Sequence, residues 1–313
     1  MAGVNREEYK KYNPSFVIIF AVEIIIGILF NGFIISVVLR DFVKTKIVSS
    51  SFKILLSLGI ANVFFDLIMS IGLLDYFYCL GIFARSDTAY IFLFLCLFSL
   101  STCAWLTANI SSFYFINISN FKSEFFVWIK RKVIALVPWI LLVDIVLSLC
   151  SSFLASLIIV NSEQTNSTDY CPTIITELMQ LNSAIVATLT ADTIIPFLVI
   201  FVTTVSTITT LAKHSHKMGE QVQTPAADHR KAYEKIVCRM MYSLMFYGGF
   251  YPAVLILYIV VLSQLQSKIW LLIIIASSYS PVQSVLLVLA NPRLMEALRE
   301  PFLCIDFKDT LRT

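Results

Sequence analysis

Residues 15–39 read SFVIIFAVEIIIGILFNGFIISVVL, twenty-five positions with a single charge, Glu23, and no proline. A helix needs about 20 apolar residues to cross the hydrocarbon core of a bilayer. In lipid the backbone must satisfy its own hydrogen bonds, so a run of this kind is a spanning helix. It is preceded by the mixed charges Arg6, Glu7, Glu8, Lys10 and Lys11, and it shows no small-x-small cleavage pattern. It is also longer than the roughly 7–15-residue apolar segment of a secretory signal, so it reads as a retained first helix.

The same length criterion marks six more stretches, giving spans at about 15–39, 51–75, 88–116, 131–160, 182–212, 234–262 and 268–290. Residues 291–313 form a short tail. The polar segments between spans are too short for a separate folded domain, so the chain is expected to be one all-α, seven-helix membrane domain. Of the 313 residues 58% are hydrophobic and 14% charged. About a quarter charged is usual for soluble domains, so this composition suits lipid as the solvent. No internal repeat is visible, which gives no support to the inverted-repeat architecture of many transporters.

Lys and Arg fall unevenly on the two sides of these spans, 18 against 5. The richer side holds Arg40, Lys44, Lys46, Lys53, Lys130, Lys132, Lys213, Arg239, Arg293 and Arg299 among others. The positive-inside rule therefore predicts an extracellular N-terminus and a cytoplasmic C-terminus, as an odd number of spans requires. The glycosylation sequon at Asn166 falls in a loop assigned to the outside.

Function classes narrow in the same way. A net charge of +3 does not suggest nucleic acid, and the three histidines, His214, His216 and His229, lie in one polar stretch. There is no phosphate loop, no His-Glu-x-x-His and no Cys-x-x-Cys, so no enzyme activity, metal or cofactor is expected. The partner that the composition implies is membrane lipid.

Four motifs carry a family resemblance. The first span contains Glu23-Ile-Ile-Ile-Gly27-Ile-Leu-Phe-Asn31-Gly-Phe33-Ile34, and the third contains WLTANISSFYFINISNF from Trp105 to Phe121. The fifth carries Pro196-Phe197 and ends Leu211-Ala-Lys213-His214-Ser-His-Lys217-Met218. The seventh reads Tyr279-Ser-Pro281-Val-Gln283-Ser284, then Leu289-Ala-Asn291-Pro292-Arg293-Leu294. In this order and on these spans they resemble the bitter taste receptors, taste receptor type 2. The resemblance implies a seven-helix G-protein-coupled receptor that binds small organic bitter agonists from the extracellular side and activates a heterotrimeric G protein. Type 1 vomeronasal or other orphan receptors are the neighbouring alternative, and an ion-coupled transporter or channel a more distant one.

The chain departs from the family pattern at several places. Asn62 stands where the family usually carries Arg in the second helix, and Gln283 where it carries His in the seventh. The family's pocket Trp and Asn of the third helix fall on Cys96 and Leu100, and its acidic pocket position of the seventh helix falls near Ile273. The expected ligand contacts are Asp192, Cys96, Leu100, Tyr251 and Ile273. A G-protein face is expected from Tyr114, Asn120, Phe121, Lys213, His214 and Met218, although an interfacial aromatic belt with basic flanks would use the same residue types.

Glu23, Asp66, Asp144 and Asp192 lie inside spans, where a charge is costly and normally faces the bundle interior. Asp192 is expected either to meet a cationic or hydrogen-bonding agonist or to make an interhelical hydrogen bond; the match of Glu23 to the motif favours a structural role for it. Asn31, Asn62, Gln283 and Ser284 are expected to serve packing and activation. Cys79 and Cys171 both fall on the outer side, where a disulfide is permitted but spacing alone does not pair them. Cys304, just after the seventh span, is either acylated or a free thiol. Pro138, Pro196, Pro252 and Pro281 lie within spans and are candidate kinks.

Overall fold

In the computed structural model, residues 14–46, 49–78, 82, 86–118, 124–162, 183–221, 238, 240–253, 256 and 274–299 are described. The helices are α1 (Pro14–Thr45), α2 (Ser50–Tyr78), α3 (Ser86–Ile118), α4 (Glu124–Ser162) and α5 (Ser183–Gln221). A helical stretch at 240–253 forms α6. After a helical turn at 274–277 come α7 (Tyr279–Ala290) and α8 (Pro292–Arg299). Among the described residues there is no strand. Among the described residues five helices are long and apolar enough to cross a membrane, or six if the bent pair Ile274–Ala290 and Pro292–Arg299 is counted as one span.

The helices run on past the stretches that hydropathy marks: α1 continues to Thr45 and α5 to Gln221. Arg40, Lys44 and Lys213 therefore stand on helical turns that extend beyond the apolar zone, at one basic end of the bundle. A bilayer core takes about 20 helical residues, and the surplus turns have water and headgroups to solvate them.

Sidedness is inverted relative to a water-soluble protein. Ile18, Val22, Ile25 and Leu29, spaced at helical period, make an exposed apolar stripe along α1. On α4 the exposed side is Trp139, Leu142, Val143, Val146 and Phe153, and on α5 it includes Ile195, Leu198 and Val202. Polar groups lie within: Asn31, Asn62, Asp66, Asp144, Ser148, Gln283 and Ser284 are all buried. Lipid satisfies no hydrogen bond, so these side chains turn toward one another.

At the centre is α3, packed against α2, α4 and α5, while α1 packs on α2 and α7. An apolar core including Ile34, Leu55, Leu58, Leu106, Ile200 and Val288 joins α1, α2, α3, α5 and α7. The sixth helix enters through aromatic rings. Tyr251 lies 5.4 Å from Phe197 of α5, and Phe250 lies 5.0 Å from Tyr279 of α7, centroid to centroid.

Prolines act where their chemistry demands it. Pro281 has no N–H for the Ser277 carbonyl and its ring crowds that carbonyl, and the regular helix is interrupted at Ser278. Pro292 forces its predecessor out of the α region, so Asn291 is extended at φ −95°, ψ 116°. Pro292 then opens α8, which leaves α7 at 93°. The Asn291 carboxamide oxygen caps the new helix by accepting the Arg293 N–H at 3.0 Å. Leu294 and Ala297 are buried while Arg293, Glu296 and Arg299 are exposed, so α8 is amphipathic. Residues 291–313, read from sequence as a plain tail, thus begin with a helix.

Gly27 of α1 is required by a close approach. A Cβ there would lie 2.5 Å from Asp66 Oδ2 and 3.2 Å from Ser280 Oγ. Both atoms are held in a mutual hydrogen bond, so neither yields easily. Gly27→Ala is expected to destabilise the protein by about 1–3 kcal/mol, the usual range for overpacking. Gly32→Ala, with nothing within 4 Å of its Cβ position, is expected not to. Thermal melting of both variants in detergent checks the contrast.

Candidate functional site

Two polar layers cross the bundle. In the first, the Asn31 amide donates to the Gly27 carbonyl at 2.9 Å and to Ser280 Oγ at 3.1 Å. Asn62 Nδ2 donates to Asn31 Oδ1 at 3.1 Å, and Ser280 Oγ donates to Asp66 Oδ2 at 2.8 Å. Three helices, α1, α2 and α7, are joined by this chain. Toward the start of α1, Ser277 donates to Glu23 Oε2 at 2.5 Å and adds a further bond between α1 and the turn before α7.

A branch of this layer joins α7 to α3. Gln283 Nε2 donates to Thr107 Oγ1, and the Thr107 hydroxyl meets the Tyr279 hydroxyl at 2.9 Å. From α6 the Phe250 ring lies 5.0 Å from that of Tyr279, and Tyr251 packs edge-on against Phe250. Tyr247, Tyr251 and Tyr279 are all buried, so their hydroxyls and Gln283 make a buried polar cluster among aromatic rings.

The second layer lies on the other side of α3. Asn109 donates to Asp144 of α4, and Ser101 donates to Ser148 at 3.1 Å. Asp192 of α5 accepts from the Trp105 indole at 3.2 Å and from Ser151 at 3.3 Å. The carboxylate thereby ties α3, α4 and α5, yet it is only partly buried and both bonds come from neutral donors.

The residues singled out from sequence distribute as follows. Asn31, Asn62, Gln283 and Ser284 are fully buried, the first three in the α1–α2–α3–α7 layer; Ser284 Oγ donates back to the Pro281 carbonyl at 2.9 Å. Cys96 and Leu100, one turn apart on α3, are half-buried, and Leu100 packs on the core. Tyr251 is buried against Phe197. Tyr114 hydrogen-bonds Asn291 at the α7–α8 bend, and Lys213 is exposed on α5. His214 and Met218 lie on the continuing turns of α5. Ile273, Asn120, Phe121, Asn166, Cys79, Cys171 and Cys304 are outside the described residues.

Sequence reading did not single out Trp105, Thr107, Ser151, Tyr279, Ser280 or Asn291 as polar partners. All but Ser151 had a visible signal, for they sit within the motifs on the third and seventh spans.

This bundle can be set beside known proteins. The profile of the taste receptor protein family (TAS2R) matches residues 9–306. The chain belongs to the taste receptor type 2 family. Relatives include taste receptor type 2 member 13 of Pan paniscus, 27% identical over 288 residues, covering 91% of this chain and 94% of the relative. Taste receptor type 2 member 39 of Homo sapiens is 26% identical over 286 residues, covering 88% and 82%.

As a member of this family the protein is a multi-pass, seven-helix bitter taste receptor of the G-protein-coupled class, and its family is one of receptors, not enzymes. A taste receptor has a ligand and a G protein as its general partners.

The Thr107–Tyr279–Gln283 branch is the polar link between α3 and α7, and a double-mutant cycle on Thr107→Val and Tyr279→Phe tests it. Interhelical hydrogen bonds in membranes average about 0.6 kcal/mol, with a maximum near 1.7. A coupling within that range in melting of the purified receptor is expected; additive effects would mean that the hydroxyls act independently.

Proposed function

We propose that this receptor is oriented with its N-terminus extracellular and detects small, partly apolar bitter agonists carrying a protonated amine or another strong hydrogen-bond donor. Asp192 is the anchor for that donor. Its carboxylate is engaged by two neutral donors at 3.2 and 3.3 Å, at the long end for such bonds. A charged ammonium makes a stronger, shorter bond to carboxylate than a neutral indole or hydroxyl does. An agonist amine therefore competes for Asp192 and loosens the tie between α5 and the pair α3–α4. Cys96, Leu100, Tyr251 and Ile273 supply the remaining, mostly apolar contacts.

The signal reaches the basic end through packing. A ligand that prefers one arrangement of α5 and α6 against α3 shifts the population toward it. Tyr114, Asn120, Phe121, Lys213, His214 and Met218 then offer the face that a heterotrimeric G protein α subunit engages. Release of the Tyr114–Asn291 hydrogen bond accompanies that shift. The excess of Lys and Arg on this side supports its being cytoplasmic.

Calcium imaging of cells that express the receptor with a taste-type G protein, screened against bitter compounds, tests this reading. Responses to amine-bearing compounds are expected, and Asp192→Asn should lower their potency about tenfold or more, equivalent to about 1.4 kcal/mol. Unchanged potency at equal surface expression would remove Asp192 from the ligand site. The orientation is checked separately: Asn166→Gln is expected to abolish the gel shift on glycosidase treatment.

A further inference from the structure

Asp66 is a buried carboxylate with no basic side chain near it in sequence or on the helices it bonds. On α1 the nearest cation, Arg40, is nine residues beyond Asn31; on α2 it is Lys53, thirteen before Asp66; and the segment 274–290 has none. The titratable neighbours are Cys103 of α3 and, one turn before Gly27, Glu23, which Ser277 binds. A lone buried charge in an apolar interior is strongly disfavoured, so Asp66 takes either a proton or a compensating positive charge from elsewhere.

Hydrogen-bond directions identify what kind. The Gly27 carbonyl can only accept, so it fixes the Asn31 NH2 toward itself and Ser280, and Asn31 Oδ1 toward Asn62. Asn62 therefore spends its NH2 on Asn31, and its own Oδ1 is left buried with no partner among the described residues. The donors run in one direction, Asn62 to Asn31 to Ser280, and end on Asp66 Oδ2. A chain of donors that terminates on Asp66 makes this carboxyl an acceptor, a role that its ionised form fills with both oxygens. Asn62 and Asp66 are four residues apart on α2, so the orphaned oxygen and the carboxylate share one helix face.

We propose that this layer binds a monovalent hard cation of sodium size. The oxygens offered are the Asp66 carboxylate, Asn62 Oδ1, Asn31 Oδ1 and Ser280 Oγ, drawn from α1, α2 and α7. They carry one negative charge in all. That set suits a singly charged, oxygen-preferring ion better than calcium, which takes 6–8 oxygens commonly including several carboxylates. The ion would satisfy the orphaned Asn62 oxygen and offset the Asp66 charge together. It would also hold three helices in one arrangement and favour the packing in which they are close.

The test uses the full-length receptor, purified in nanodiscs and melted in sodium chloride or choline chloride at a constant ionic strength of about 0.15 M, near physiological. The expected result is a melting temperature that rises and saturates with sodium. The response should vanish in Asp66→Asn, which keeps the shape and removes the charge. Should that variant not fold, Asn62→Ala retains Asp66 and its bond to Ser280, and is expected to move the sodium midpoint several-fold higher. Equal melting in sodium and choline, or a sodium response undiminished in the variants, would overturn the proposal. So would a receptor indifferent to sodium whose melting temperature falls as pH rises, since a proton would then hold the site. None of these readouts involves an agonist, so the outcome is independent of the Asp192 reading.

Discussion

Hydrocarbon accepts no hydrogen bonds, and every polar group in the spans must answer to that. The answer is visible as a division of each helix into an apolar outer stripe and an inner line of Asn, Ser, Thr, Asp and Gln. Because the partners of these side chains lie on other helices, the polar lines dictate which faces meet. Asn31 reaches Ser280 and accepts from Asn62, and Asp66 can come close only because Gly27 offers no Cβ. Apolar packing between lipid-like surfaces carries little specificity of its own, so these few bonds select the arrangement.

Much of this was legible in the sequence. Apolar run length alone marked the stretches that form α1 to α5, since lipid leaves the backbone no option but to coil. The buried amides Asn31, Asn62 and Gln283 stood out because polar residues within an apolar run have few places to go. What escaped has physical reasons. Hydropathy falls at Arg40, but a helix does not end where its environment turns polar, so α1 continues to Thr45. The short helix α8 escaped because eight amphipathic residues resemble any polar tail by composition. The partners of Asp192 escaped because Trp105 and Ser151 lie 87 and 41 residues away, and only the packing of α3, α4 and α5 brings them near.

The position of α3 explains why the two polar layers form a single system. Thr107 faces α7 and Asn109, two residues on, faces α4, while Trp105 reaches α5. One helix therefore carries ties to most of the bundle within little more than a turn. Any relative movement of α5 or α7 must break or stretch a bond that ends on this turn. That concentration gives the receptor few soft coordinates, and sets which groups a ligand has to disturb in order to be felt across the bundle.

The right-angle joint at Asn291–Pro292 has a mechanical consequence. Its two arms are stiff, and Arg293 is seated over the Phe52 ring, 5.5 Å from its centroid, at the start of α2. A rotation of α7 about its own axis moves the axis itself very little, yet it sweeps a perpendicular arm through an arc. The joint thus has the geometry of a crank: a twist deep in the bundle, where Tyr279 and Gln283 sit, would emerge at the basic end as sideways travel of α8.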